Sequence, residues 1–67
     1  MSTVAKRITR EINYIDTLLH DLNIYIQGGN YKAAKNSIEG VKKDIISSLT
    51  SIEHLIEREA IKETNHE

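Results

Sequence analysis

Gly28-Gly29-Asn30 interrupts a chain whose residues otherwise follow helical spacing. Glycine just past a helix end adopts the left-handed backbone conformation without a steric penalty, and asparagine is a favourable N-cap for a following helix. Together these residues predict the turn of an αα-hairpin. We expect a first helix over about residues 3–27, the turn at 28–30, a second helix over about 31–63 and a frayed tail at 64–67.

Before the turn, aliphatic residues recur at alternating steps of four and three, which is the heptad pattern of a packed helix. This predicted seam consists of Ile8, Ile12, Ile15, Leu19, Leu22 and Ile26. Val4, Leu18 and Tyr25 widen the seam on one flank. The apolar face is therefore wider than a two-stranded coiled coil needs.

After the turn, a second apolar stripe predicts a longer helix, whose spacing drifts from heptad towards eleven-residue repeats. Its members are Ala34, Ile38, Val41, Ile45, Leu49, Ile52 and Ile56. Residues 47–51 are its weakest stretch, because hydroxyl side chains compete for backbone hydrogen bonds, and Thr50-Ser51-Ile52-Glu53 matches a capping box that could start a third helix. The stripe crosses this stretch without a phase break, so we favour one long helix.

Charged residues support an antiparallel arrangement. Basic residues lie in the first turns of the first helix and acidic residues near the end of the second, and both placements oppose the helix macrodipole. Folding back about the turn would place Arg7 beside Glu53 and Asp16 near Lys43. Exposed pairs of this kind contribute about 0–1 kcal/mol each, so they select an orientation more than they supply stability.

The chain is a single domain of 67 residues. A domain of about 60 residues buries only about 60% of the surface that its unfolded chain exposes, and two helices cover only one stripe on each other. We expect a homo-oligomer, most simply a two-fold dimer of hairpins that forms an all-α four-helix bundle; completion by a different protein is the alternative. The residues predicted for this second interface are Tyr14, Leu18, Tyr25, Ile46 and Leu55.

Several function classes find no support in the residues. The chain lacks cysteine, has 9 Lys+Arg against 10 Asp+Glu, and contains no nucleophile motif or phosphate-binding loop. Its three histidines do not form the spacing of a metal site. The sequence therefore predicts a protein that is not an enzyme, with no catalytic residue, no metal site and no cofactor.

The cellular location is predicted from two sequence patterns, a membrane span and a signal peptide. No run of apolar residues reaches the length of a membrane span, and the first residues lack the pattern of a signal peptide. We expect a cytoplasmic protein without membrane association. The abundance of Ile, Asn, Lys and Glu is typical of low-GC bacterial or viral coding sequences.

The function predicted from these patterns is that of a small helical protein-protein interaction module, acting as regulator, inhibitor or partner chaperone through an apolar helix face and associating with itself. In size and hairpin layout the chain resembles the small helical partner chaperones of bacterial type III secretion, a likeness of shape that carries no residue roles over. The alternative is a nucleic-acid-associated dimer. Its contacts would come from basic residues near the helix starts: Lys6, Arg7, Arg10, Lys42 and Lys43.

Overall fold

The computed structural model describes residues 3–65, with side chains for 3–62, and consists of two packed antiparallel helices. Helix α1 spans Thr3–Gln27 and helix α2 spans Tyr31–Asn65. Helix α2 runs through residues 47–51 without interruption, so no third helix begins at Thr50. It also continues past residue 63, where the sequence predicts its end, and residues 66–67 of the predicted tail lie outside the described residues.

The turn combines a helix C-cap with a helix N-cap in three residues. Gly29 has a φ of 73°, its amide donates to the carbonyl of Ile26, and the amide of Asn30 donates to the carbonyl of Tyr25 at 2.8 Å. This pair of bonds is a Schellman motif, which satisfies the last free carbonyls of α1. The side chain of Asn30 then accepts a hydrogen bond from the amide of Ala33 at 3.2 Å, which caps the start of α2.

The seam between the helices follows a strict heptad pattern on both of them. The side chains that line it, all buried or partly buried, are Val4, Ile8, Glu11, Ile15, Leu18 and Leu22 on α1, and Ala34, Ile38, Val41, Ile45, Ser48, Ile52, Leu55 and Glu59 on α2. The steps alternate between four and three in each helix. The predicted drift of the second helix towards eleven-residue repeats is therefore wrong for the residues that pack.

The observed seam is rotated relative to the predicted one. Leu18 and Leu55, predicted to lie off the seam, are in it. The polar residues Glu11 and Ser48 take seam positions, while the neighbouring Leu49 is 52% exposed. Ala34 and Ser48 are small side chains that are 9% and 5% exposed in the seam. The methylene groups of Glu11 can cover apolar surface while its carboxylate reaches water. The other predicted seam residues displaced outward are Ile12, Leu19, Ile26 and Ile56.

No ion pair joins the two helices among the described residues. The ion pairs recorded there, Lys42 with Glu39 and Lys62 with Glu59, both lie within α2. The predicted pairing of Arg7 with Glu53 is therefore wrong, because the rotated seam places these two residues on opposite sides of the hairpin. The predicted approach of Asp16 to Lys43 also forms no ion pair.

The hairpin is a thin rod with a large surface. Its extents are 54 × 21 × 13 Å and its radius of gyration is 15.9 Å, against about 11 Å for a compact domain of this length. Its accessible surface is 5427 Å², whereas a compact monomer of this mass exposes about 4,300 Å². Among the described residues no side chain is completely buried. Two helices alone leave much apolar surface in water.

Candidate functional site

The two sides of the hairpin differ in polarity. A two-fold rotation perpendicular to the plane of the pair relates two antiparallel helices, so equivalent heptad positions lie on the same side of both. The residues that follow Glu11 and Ser48, and those at seven-residue steps from them, thus share one side. On α1 they include Ile12, Leu19 and Ile26, and on α2 they include Lys35, Lys42, Leu49 and Ile56. Ile46, three residues before Leu49, borders the same side. We call this side the apolar flank and define it by its aliphatic residues: Ile12, Leu19, Ile26, Ile46, Leu49 and Ile56.

The apolar flank consists of aliphatic side chains that are about half exposed. Ile12 is 46% exposed and Leu19 is 47% exposed. These two residues are seven positions apart on α1, which is also the spacing of Leu49 and Ile56 on α2. Groups of exposed aliphatic residues on one side of a protein mark candidate interaction surfaces.

A shallow groove extends the apolar flank to the turn. It encloses about 300 Å³ and exposes apolar atoms only. Its lining residues are Leu22, Ile26, Tyr31, Ala34, Lys35 and Ile38. Ile26 belongs to both the groove and the apolar flank, so the groove extends the aliphatic row of α1 to the turn. On α2 the ion pair of Lys42 with Glu39 lies between the groove and Leu49.

The opposite side is polar, and we call it the polar flank. Its residues are Arg7, Tyr14 and Asp21 on α1, and Ser37, Asp44, Ser51 and Arg58 on α2. Near the middle of α1 the hydroxyl of Tyr14 donates a hydrogen bond to Oδ2 of Asp44 at 3.3 Å. Lost hydration of the phenol, followed by the charge and hydrogen bond of Asp44, raises the pKa of Tyr14 above its ordinary value of 10.0.

A second groove lies on the polar flank at the end of the hairpin opposite the turn. It encloses about 260 Å³ and is lined by Arg7, Glu11, Ser51, His54, Leu55 and Arg58. Five of these six residues carry polar or charged side chains. The groove therefore differs in chemistry from the apolar groove at the turn.

The five residues predicted for a second interface do not form one surface. Ile46 is exposed and lies on the apolar flank, and Tyr14 lies on the polar flank. Leu18 and Leu55 contribute to the seam, where α1 and α2 cover them. Tyr25 is 39% exposed and follows Leu18 by one heptad, at the turn end of the seam.

The apolar flank is not apparent from the sequence alone. Aliphatic spacing predicts that its α1 residues lie in the seam, whereas they are exposed beside it. The sequence pattern that identifies the true seam lies in α2. One seam position recurs there every seven residues, at Ala34, Val41, Ser48 and Leu55, provided that a serine is accepted among the apolar residues. Searching only for aliphatic residues hides this repeat.

The basic residues of the nucleic-acid alternative lie apart in a single hairpin. Lys6, Arg7 and Arg10 lie near the start of α1, at the end away from the turn. Lys42 and Lys43 lie roughly 15 Å closer to the turn on the other helix, at 1.5 Å rise per residue, and Lys42 pairs with Glu39. One hairpin therefore does not unite them in a single basic patch.

Comparisons with known proteins found no family model, no curated protein and no solved structure that matches the chain. Within residues 3–65, no group of three or more His, Cys, Asp or Glu side chains is arranged to hold a metal ion. Neither helix, over the same residues, combines the length and apolar character needed to cross a membrane.

Proposed function

We propose that the protein is a small helical interaction module that associates with itself through the apolar flank, and that two hairpins form a four-helix bundle. The observation that carries this proposal is the row of half-exposed aliphatic residues on one side of a hairpin in which no described side chain is completely buried. Helices in a bundle need apolar residues at the two seam positions and at one neighbouring position. The apolar flank supplies the neighbouring position.

The exposed area supports a second copy as the partner. The hairpin exposes roughly 1,100 Å² more surface than a compact monomer of its mass, and a standard protein interface buries about 800 Å² on each partner. Pairing two apolar flanks would remove part of this surface from water, and each Å² of apolar surface buried contributes about 25 cal/mol.

A regulator, inhibitor or partner chaperone would use the same surface. In that role the bundle is the resting state of the module, and a partner protein with an apolar helix competes for the flank. Self-association comes first in the proposal because both rows of the flank lie on one side of each copy, where a two-fold axis brings them together.

The sharpest test compares two substitutions on α1. Leu19→Asp places a charge in the centre of the apolar flank, whereas Ile24→Asp changes a residue that is 55% exposed and lies outside the flank. We expect Leu19→Asp to weaken self-association roughly 100-fold or more, because two-fold symmetry repeats the loss of a buried leucine. Ile24→Asp should leave association within about threefold of the unchanged protein, as expected of a surface substitution.

Sedimentation equilibrium over a wide concentration range measures both effects, and circular dichroism confirms that the variants stay helical. A folded chain of 7.6 kDa at every concentration would reject self-association and leave the flank to a different protein. Equal weakening by the two variants would show that the interface lies elsewhere.

A further inference from the structure

The groove on the polar flank is lined by two arginines that form no ion pair with any described residue. Arg7 from α1 and Arg58 from α2 both line it. The ion pairs recorded among the described residues belong to Lys42 and Lys62, so neither guanidinium pairs with a carboxylate of that part of the chain. Two helices thus contribute an arginine each to one concave site.

The other polar groups in the groove add hydrogen-bonding capacity. Ser51 has a hydroxyl that can donate, and a neutral His54 has one ring N–H that can donate. Glu11 is the single carboxylate there, so the arginines exceed it by one charge. The volume of 260 Å³ lies just below the range of about 300–1,000 Å³ typical of ligand pockets, which favours a small ligand.

We infer that this groove binds a phosphate-type oxoanion, either free phosphate or the phosphoryl group of a small monoester. Arg7 and Arg58 donate to the oxoanion from opposite sides, because the planar guanidinium matches the spacing of two phosphate oxygens. Ser51 and His54 donate to the remaining oxygens. Glu11 opposes a second negative charge and keeps the affinity low.

The proposed oxoanion site is independent of self-association. The groove lies on the polar flank, on the opposite side from the apolar flank, so pairing of two apolar flanks leaves it open. The function of the apolar flank and the ligand of the polar flank can therefore be tested separately on the same protein.

The experiment is a titration of the isotope-labelled full chain with inorganic phosphate, followed by amide chemical shifts at constant ionic strength. We expect saturable shifts at the groove residues with a dissociation constant on the order of 1 mM, the affinity of weak binding. Arg7→Gln and Arg58→Gln should each weaken binding about tenfold, the loss of one charge-assisted contact. Arg10→Gln, which changes an arginine outside the groove, should leave it unchanged.

Glu11→Gln should change the phosphate affinity in the opposite direction from the two arginine variants. Removing its negative charge should tighten phosphate binding roughly threefold to tenfold, since two charges a few ångströms apart in water interact by about 1 kcal/mol. A parallel titration with glycerol phosphate separates the sources: tighter binding assigns the site to a monoester, and equal binding assigns it to free phosphate.

Shifts that grow linearly with phosphate, or that sodium chloride reproduces at the same ionic strength, would overturn the inference. So would a saturable response that survives in both Arg7→Gln and Arg58→Gln. The spectra themselves show whether each variant keeps the fold.

Discussion

Tyr14 and Asp44 form the one hydrogen bond between side chains of α1 and α2 that is recorded among the described residues. The phenol donates to the carboxylate, so the bond requires the neutral form of Tyr14. An ionised phenolate would face the negative charge of Asp44 at the same place. Lost hydration of the phenol, together with this pair, therefore favours protonated Tyr14 in the folded chain and raises its pKa.

The raised pKa predicts how stability depends on alkaline pH. Below the ordinary value of 10.0, Tyr14 is neutral in both the folded and the unfolded chain, and its contribution is fully present. As the pH rises above this value, Tyr14 ionises in the unfolded chain before it ionises in the folded chain. The free energy of unfolding therefore falls until the pH has passed the folded-state pKa. Chemical denaturation of the unchanged protein and of Tyr14→Phe, compared across this range, measures the difference.

The site itself can be titrated in a variant with Tyr25→Phe and Tyr31→Phe, which retains Tyr14 as its single tyrosine. Ultraviolet absorbance of the tyrosinate should give a midpoint above the ordinary value. Asp44→Asn should lower that midpoint. A midpoint that does not respond to Asp44→Asn would show that the interhelical hydrogen bond is absent in solution.

At the scale of the elements, two glycines with different backbone conformations explain where the helices end and where α2 continues. Gly29 has a positive φ, which side chains with a Cβ adopt only with strain. Gly40 lies inside α2, and a Cβ built there would meet no atom within 4 Å. The turn thus requires a glycine at 29, whereas α2 only tolerates the one at 40.

The matched substitutions Gly29→Ala and Gly40→Ala should therefore have opposite effects. Gly29→Ala is expected to destabilise the hairpin by about 1 kcal/mol or more, and Gly40→Ala to stabilise it by about 0.5–1 kcal/mol through helix propensity. Thermal and urea denaturation measure both changes. Destabilisation by Gly40→Ala would mean that another chain packs against this part of α2.

The elements themselves could be predicted from local residues. Gly28, Gly29 and Asn30 carry the turn chemistry in their own backbone preferences, and the spacing of aliphatic residues indicates helices on both sides. The choice of seam could not be predicted in this way, because α1 carries two overlapping apolar rows. One row includes Ile12 and Leu19, and the other includes Leu18 with Glu11.

At the scale of the whole molecule, the proposed self-association would link folding to association. No side chain is completely buried among the described residues, so the proposed second copy would stabilise each hairpin and Tm should rise with protein concentration. Leu55→Ala, at a position 7% exposed, should lower stability by about 2–5 kcal/mol at every concentration because it leaves a cavity in the seam.

Leu49→Ala is the matched comparison, since it removes the same side chain from the apolar flank of the same helix. It should reduce the concentration dependence of Tm while leaving the hairpin seam intact. Scanning calorimetry at several concentrations separates the two effects. A Tm that is independent of concentration in the unchanged protein would contradict the linkage.

Local chemistry along the chain was sufficient to establish two helices, their turn and an apolar face too wide for a single pair. Helix capping, glycine conformation and heptad spacing depend on residues near one another in sequence, so they can be inferred without a fold. Tertiary packing decided which apolar row faces the other helix, because burial depends on the fit of both helices, and the buried Ser48 holds a seam position that aliphatic spacing alone does not reveal. That choice leaves one flank apolar and brings Arg7 and Arg58 into one groove from opposite ends of the sequence.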